Sequence, residues 1–570
     1  MANIKQTIVK STLLAPKALG VLGVLGALVL TSCSDDNASP QDLADVLYIN
    51  GNIWTGVDGA PLATTLATKG NIILAVGDGE TLGELKGKNT QTIDLKGQTL
   101  VPGFIDNHTH FMETSVGLSM VKLRDAKTPQ EFSDRIEEFA RVHHEGFWIT
   151  GGDWDHENWG GTLPTKEWVD RQTLNNPLFV SRLDGHMALV NSQVLKLAGI
   201  DKDTPDIEGG EIVRDPNGNP TGILKDAAME LVLAIMPKPS LEAHKDTLKN
   251  GVAFALSHGV TQIHNMGTWE DLDAFESLKN DGDLTLRVYS FVPLNTWQQL
   301  SDFTTKMGKG DDWHRWGGLK GLVDGSLGST TAYFYEPYSD EPDKTGFSIH
   351  PFADFYSWMS AGHQTEMQLA IHAIGDKAND WVLDSFEKLS QDYPKPNTRY
   401  TIEHAQHLTP EAIKRFSPLG VIPSMQPYHA IDDGRWAEKR IGAERLKGTY
   451  AFKSLLDNDA RLTFGSDSPV APMNVMAGIY AAVTRATLDD KNPDGWMPEQ
   501  KISVEAALKA YTLNNAYAGN QETKLGTLIP GKLADFVVLN HDIFTINPTE
   551  IINTKVVYTI VGGVKRYAQP

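Results

Sequence analysis

Eight short apolar segments, separated by stretches with helical patterning, constrain the fold of this chain more than any other feature. They are Leu100 to Asn107, Val260 to Asn265, Leu286 to Val292, Leu319 to Val323, Gln368 to Ala373, Tyr400 to Glu403, Val421 to Gln426 and Arg461 to Gly465. Alternation of strand and helix predicts α/β architecture with a parallel sheet. Eight is also the strand number that closes a (β/α)8, TIM-like barrel. The competing arrangement, a doubly wound open sheet, favours a Gly-rich nucleotide turn near its start, and none is visible. About 150 residues separate the first two segments, far more than a connecting helix needs, so an inserted subdomain is expected at about 112–245. Short apolar runs bracketed by Gly and Asn recur near both ends of the chain: Asp45 to Gly51, Gly70 to Gly77 and Thr92 to Leu95, then Ala534 to Leu539 and Thr554 to Val561. They predict a small β-sandwich domain assembled from 45–101 and 525–570, with the barrel occupying 102–524.

The run Val101-Pro102-Gly103-Phe104-Ile105-Asp106-Asn107-His108-Thr109-His110 carries the first expected strand straight into two histidines spaced i, i+2. On a strand that spacing puts both imidazoles on one face. Imidazole is the commonest protein ligand for transition metals. Further groups capable of chemistry stand on later segments, mostly at the C-terminal ends where barrel enzymes build their sites. Lys320 lies on the fourth, His372 ends the fifth, His404 ends the sixth and Asp467 ends the eighth. His372 and His404 are 32 residues apart, about one βα unit, and His404 and Asp467 are 63 apart, about two. All of them are therefore expected at one mouth.

Cys33 is the only cysteine, so no disulfide forms within the chain, and any metal site draws on His, Asp, Glu or Lys. A formal charge of −21 argues against a nucleic-acid partner. The insert holds Trp148, Trp154, Trp159 and Trp168 near Asp153. Either these tryptophans pack the subdomain, or they roof the mouth for an apolar substituent, with Asp153 and Trp154 as substrate contacts. Near the N-terminus, Lys5, Lys10 and Lys17 precede the apolar run Ala18 to Leu30, too short for an ordinary spanning helix. That run meets Leu30-Thr31-Ser32-Cys33, which resembles the lipobox of bacterial lipoproteins. The resemblance implies a signal peptide over 1–32, a lipid on Cys33, a tether over 33–44 and export to a membrane. Ser34 stands where lipoproteins retained at the inner membrane typically carry Asp, which favours the outer membrane, on its periplasmic or surface face, in an organism with two.

Several stretches in order carry a wider resemblance: Pro102 to His110, Lys320 to Ser329, His372-Ala373-Ile374-Gly375-Asp376, Glu403-His404, Gly465-Ser466-Asp467-Ser468-Pro469 and Gly526 to Asp535. Together they resemble the amidohydrolase superfamily of metal-dependent hydrolases, and within it the family 3 branch that includes N-substituted formamide deformylase. The resemblance implies that His108, His110 and Asp467 bind one divalent metal and that His372 and His404 bind a second. Lys320, carboxylated by CO2 on its side-chain nitrogen, would bridge the two. Zinc is the default ion for such donors, and manganese or iron fits the same set. The implied reaction is hydrolysis by a metal-bound hydroxide, with Asp467 as both ligand and general acid/base. His186, in Leu183 to Asn191, and Gln426 and His429, in Met425 to His429, resemble family segments that face substrate. The expected partner is a small amide-like molecule whose C–N bond is cut. An ester, lactone or phosphoester substrate, or a noncatalytic binding role, remains the alternative, and self-association into a homo-oligomer is left open.

Overall fold

A computed structural model describes residues 43–570 other than 174, 183–186, 208–209 and 238–239, all but Leu43 of them in the unit Ala44–Pro570. The signal segment, Cys33, nearly all of the tether and His186 lie outside the described residues. No helix among the described residues is long and apolar enough to cross a membrane.

Eight parallel strands form the central sheet: β1 (Phe104–Thr109), β2 (Val260–Met266), β3 (Arg287–Pro293), β4 (His314–Leu322), β5 (Gln368–Ala373), β6 (Thr401–His404), β7 (Ile422–Met425) and β8 (Thr463–Phe464). They neighbour one another in sequence order, and a parallel bridge between Thr109 and Ser468 brings the two edges together, giving a nearly closed (β/α)8 barrel. Backbone hydrogen bonds from Asp467 N to His108 O (2.8 Å) and from His110 N to Ser468 O (2.9 Å) stitch this seam.

Three of the eight segments differ from expectation by more than one residue at an end. The first segment divides at Gly103: Thr99–Pro102 pairs antiparallel with Phe536–Leu539, whereas Phe104–Thr109 pairs with β2. One apolar run thus serves two sheets, and a Cβ at Gly103 would stand 2.4 Å from Thr261 Oγ1, so the crossing requires glycine. β4 begins at His314, ahead of the expected Leu319, because Gly317 and Gly318 do not end the strand. Gly317 takes a φ of +125° beside a register shift, and Gly318 leaves room for the Phe291 ring. β8 is only Thr463–Phe464, shorter than the expected Arg461 to Gly465.

Strands from both chain ends share a five-stranded sheet, Asn52–Ile53, Thr99–Pro102, Phe536–Leu539, Val556–Val561 and Val564–Ala568. A four-stranded sheet of Ala44–Ile49, Thr65–Lys69, Ile72–Gly77 and Lys86–Asp94 meets it across a core that includes Tyr48, Leu66, Ile73, Leu100, Phe536 and Ile560. A buried bidentate pair ties this layer to the barrel: Arg287 of β3 donates Nε to Asp535 Oδ2 (2.6 Å) and a terminal nitrogen to Oδ1 (3.0 Å). Between β1 and β2, six strands within Val121–Asp226 form a separate sheet with its own core around Phe132, Ile136, Val169 and Val180.

That core corrects one site expectation. Trp154 is fully buried in it, edge-on to Phe132, and its indole N–H donates to Val180 O at 2.9 Å, so the ring has no face left for substrate. In Gly151–Trp154 the Trp154 side chain is buried, while Asp153, on a left-handed backbone at φ of +56°, is exposed.

Candidate active site

The strand ends bring the expected donors together. His108 Nε2 lies 3.4 Å and His110 Nε2 3.5 Å from Asp467 Oδ1, and Lys320 Nζ lies 3.2 Å from His108 Nε2. The His404 ring stands 4.5 Å from that of His372 and 4.9 Å from that of His108, centroid to centroid. His404, His429 and Asp467 form a second group whose ligand atoms converge within 4.8 Å, sharing the aspartate with the His108 and His110 group. His404 and Asp467 both adopt left-handed backbone conformations, at φ of +72° and +59°. Such conformations cost energy in residues other than glycine and persist where surrounding contacts impose them.

Those contacts set each ring. Glu403 Oε2 accepts from His108 Nδ1 (2.5 Å) and from Ser424 Oγ (2.5 Å), while Thr401 Oγ1 donates to its other oxygen. Gln426 Oε1 accepts from His404 Nδ1 at 2.8 Å, and Gly325 O accepts from His372 Nε2 at 3.1 Å. In each ring the donating nitrogen fixes the tautomer, leaving the other nitrogen with a lone pair. Gln426 is therefore a positioning residue and not the substrate contact expected, its amide oxygen being committed to His404. Asp106 accepts from Ser466 N (2.9 Å) and Ser466 Oγ (2.5 Å), which anchors the turn that presents Asp467. Asp324 accepts from the backbone N–H groups of Tyr333, Ile374 and Gly375 at 2.8 to 3.0 Å, fixing the loop after His372.

Burial dominates the electrostatics. It pushes the Asp467 carboxyl up to about 7 against the pull of Lys320, and lowers the Lys320 ammonium against Glu403 and Asp467. It also holds His108 and His404 well below the usual histidine range, with neighbouring cations adding to the effect, and brings His372 down to about 3. Imidazole lone pairs and a carboxylate crowded into one buried site repel each other unless a cation lies between them. His429 reinforces the point: its Nε2 is buried without a hydrogen-bond partner, 3.9 Å from Asp467 Oδ2. The donor set thus fits a divalent metal.

Glu403, Asp106 and Asp324 were not singled out from the sequence. The available signal is an acid inside or at the end of an apolar strand run, as in Ile105-Asp106, Val323-Asp324 and Glu403-His404. Such an acid persists only with buried partners.

Comparison with known proteins adds a pattern to this geometry: that of the amidohydrolase family matches residues 91–567. The chain belongs to the amidohydrolase family. Among its relatives, this amidohydrolase is 38% identical over 540 residues to Protein LONG AFTER FAR-RED 3 of Arabidopsis thaliana, covering 92% of each chain. It is 27% identical over 555 residues to N-substituted formamide deformylase of Arthrobacter pascens, covering 92% of this chain and 98% of that one. An uncharacterized metal-dependent hydrolase from Pyrococcus furiosus superposes with a TM-score of 0.72 at 29% identity, over 88% of this chain and all of that one. Membership implies the use of a divalent metal, and the His/Asp groups at the barrel mouth provide the donors for it.

Proposed function

We propose that this amidohydrolase cleaves the C–N bond of a small amide, an N-substituted formamide or a cyclic amide. One observation carries the reading: a buried carboxyl, Asp467, faces the Nε2 atoms of His108, His110 and His429 at 3.4, 3.5 and 3.9 Å. An amine leaves an amide only when protonated, so the site has to hold a proton beside the scissile bond, and Asp467 is the acid placed to do so. Similarity to a relative named for formamide deformylation supports the choice of bond.

His108, His110 and Asp467 would hold one ion and His372 and His404 a second. Lys320 would join them as a carboxylated amine, which its burial favours because only the neutral amine reacts with CO2. His429, in reach of the same carboxylate, is assigned to substrate or to the ion held by His404. Zinc is the first candidate, and the bound ions would supply Lewis acidity, easing deprotonation of water and polarising the carbonyl. Asp467 accepts the proton of the attacking water on its carboxylate as the water oxygen bonds to the carbonyl carbon. It then passes that proton to the nitrogen as the C–N bond breaks, so amide and water become acid and amine. Glu403 and Gln426 keep the imidazoles oriented through that exchange.

Metal content per chain, read by mass spectrometry with turnover on N-substituted formamides and N-acyl amines, tests the proposal. The parent should hold about two ions, and Lys320→Ala about one or fewer, with loss of turnover. Parent protein that retains no metal after zinc supplementation, or is inert to every amide while hydrolysing esters, would overturn it. We further propose that the enzyme is a lipoprotein anchored through Cys33. Metabolic labelling with a fatty acid should mark the parent and not Cys33→Ser, and an unlabelled parent would rule the anchor out.

A further inference from the structure

A cavity of about 470 Å³ opens at the other end of the barrel, away from the metal-site side chains. It is built where strands begin: Tyr289 sits early on β3, Arg315 early on β4, Gln368 opens β5 and Tyr400 stands just ahead of β6. Gln368 and His372 share β5, so the cavity floor and the nearest proposed metal ligand on that strand are ~13 Å apart along it. Catalysis in barrels belongs to the C-terminal face, which leaves a cavity at this face without a part in the hydrolytic step.

Its charge runs against the net charge of the chain. In a chain of net charge −21, the lining presents Lys309, Arg315, Lys395 and Arg399 against one carboxylate, Glu366. Arg399 is neutralised by Glu522, with nitrogen to oxygen distances of 2.6 and 2.7 Å. Among the described residues the other three cations have no carboxylate within 4.0 Å. Lys309 donates to Glu366 O (3.0 Å), and Lys395 to His363 O (2.7 Å) and Gln364 O (3.2 Å). Arg315 gives one N–H to Gly519 O (2.6 Å) and lies 4.8 Å over the Tyr289 ring, whose hydroxyl is itself held by Gln368 at 3.0 Å. A guanidinium fixed in this way keeps its remaining N–H donors without a protein acceptor among the described residues. Carboxylates abound on this surface, and elsewhere lysines such as Lys245, Lys249 and Lys279 are each paired with two of them.

We propose that this cavity is a binding site for a small polyanion bearing phosphate or carboxylate groups, separate from the hydrolytic site. The Arg315 fork matches the paired oxygens of either group, Lys309 and Lys395 add point charges, and the volume suits a small molecule. The net charge of −21 argues against a nucleic acid as the ligand.

Titration calorimetry on the metal-loaded full chain at fixed ionic strength, with inorganic phosphate and with tricarballylate, tests the site. Saturable binding of at least one probe is expected, weakened about tenfold or more by Arg315→Gln with Lys395→Gln. Lys309→Gln, at an exposed position, should weaken it about threefold, and it decides the matter if the double variant fails to fold. Phosphate alone binding would identify a phosphate-bearing ligand, and tricarballylate alone a polycarboxylate. No binding by the parent, or binding equal in parent and variants as for an anion resting on the active-site metal, would overturn the proposal.

Discussion

Asp467→Asn is expected to lower turnover by about 10²–10⁴-fold while leaving the fold in place. The substitution is nearly isosteric, and the carboxylate it removes faces imidazole nitrogens at 3.4 to 3.9 Å and not the neighbouring backbone. An amide side chain can neither take up a proton from water nor return one to nitrogen, and as a neutral donor it holds a cation less well. Metal content should fall, yet the apo forms of parent and variant should melt within a few degrees of each other. The packing that presents residue 467 comes from Asp106 and Ser466, which are untouched. Steady-state rates and melting curves on the same preparations give the answer. Turnover within about tenfold of the parent would remove Asp467 from the proton path.

The largest stability effect is expected far from that mouth. Asp535→Ala strands Arg287, which is only 2% exposed, as a buried cation with Asp312 O as its remaining acceptor among the described residues. The Gly562 N–H also loses its acceptor, Asp535 Oδ1 at 2.7 Å. Breaking one side of a buried pair typically costs about 3–5 kcal/mol, because the partner charge stays desolvated and unpaired. Urea unfolding followed by circular dichroism should show the midpoint falling accordingly. Arg287→Met combined with Asp535→Leu should recover much of the loss, since an apolar pair carries no desolvation penalty. A midpoint for the single variant that matches the parent would mean that the ion pair does not fasten the terminal sheet to the barrel.

Local pattern accounts for what the sequence reveals of this fold. Gln368–Ala373 is a strand with the bounds its apolar run suggests, because both faces are buried and nothing else competes for it. The convergence of His108, His110, His372, His404 and Asp467 was legible because barrel geometry sends consecutive strand ends to one mouth. Nonlocal facts were less visible. The division at Gly103 depends on Thr261 and on a C-terminal strand, and the inward turn of Trp154 depends on which face of the insert's sheet is covered. The place of His429 beside Asp467 likewise arises only when β7 and β8 lie side by side. His186 lies among the residues not described, so its role rests on sequence resemblance alone.

The seam between β1 and β8 sets a timetable for assembly. His108 and His110 leave the ribosome some 360 residues before the aspartate whose backbone N–H closes against His108 O. Contacts of such long range form late, after the intervening loops have been closed. A nascent or truncated chain that lacks Asp467 therefore carries most of the donors without a closed site. An ion that binds only the closed form would act as a clasp on the ring, drawing the two edge strands together in proportion to its affinity for that form.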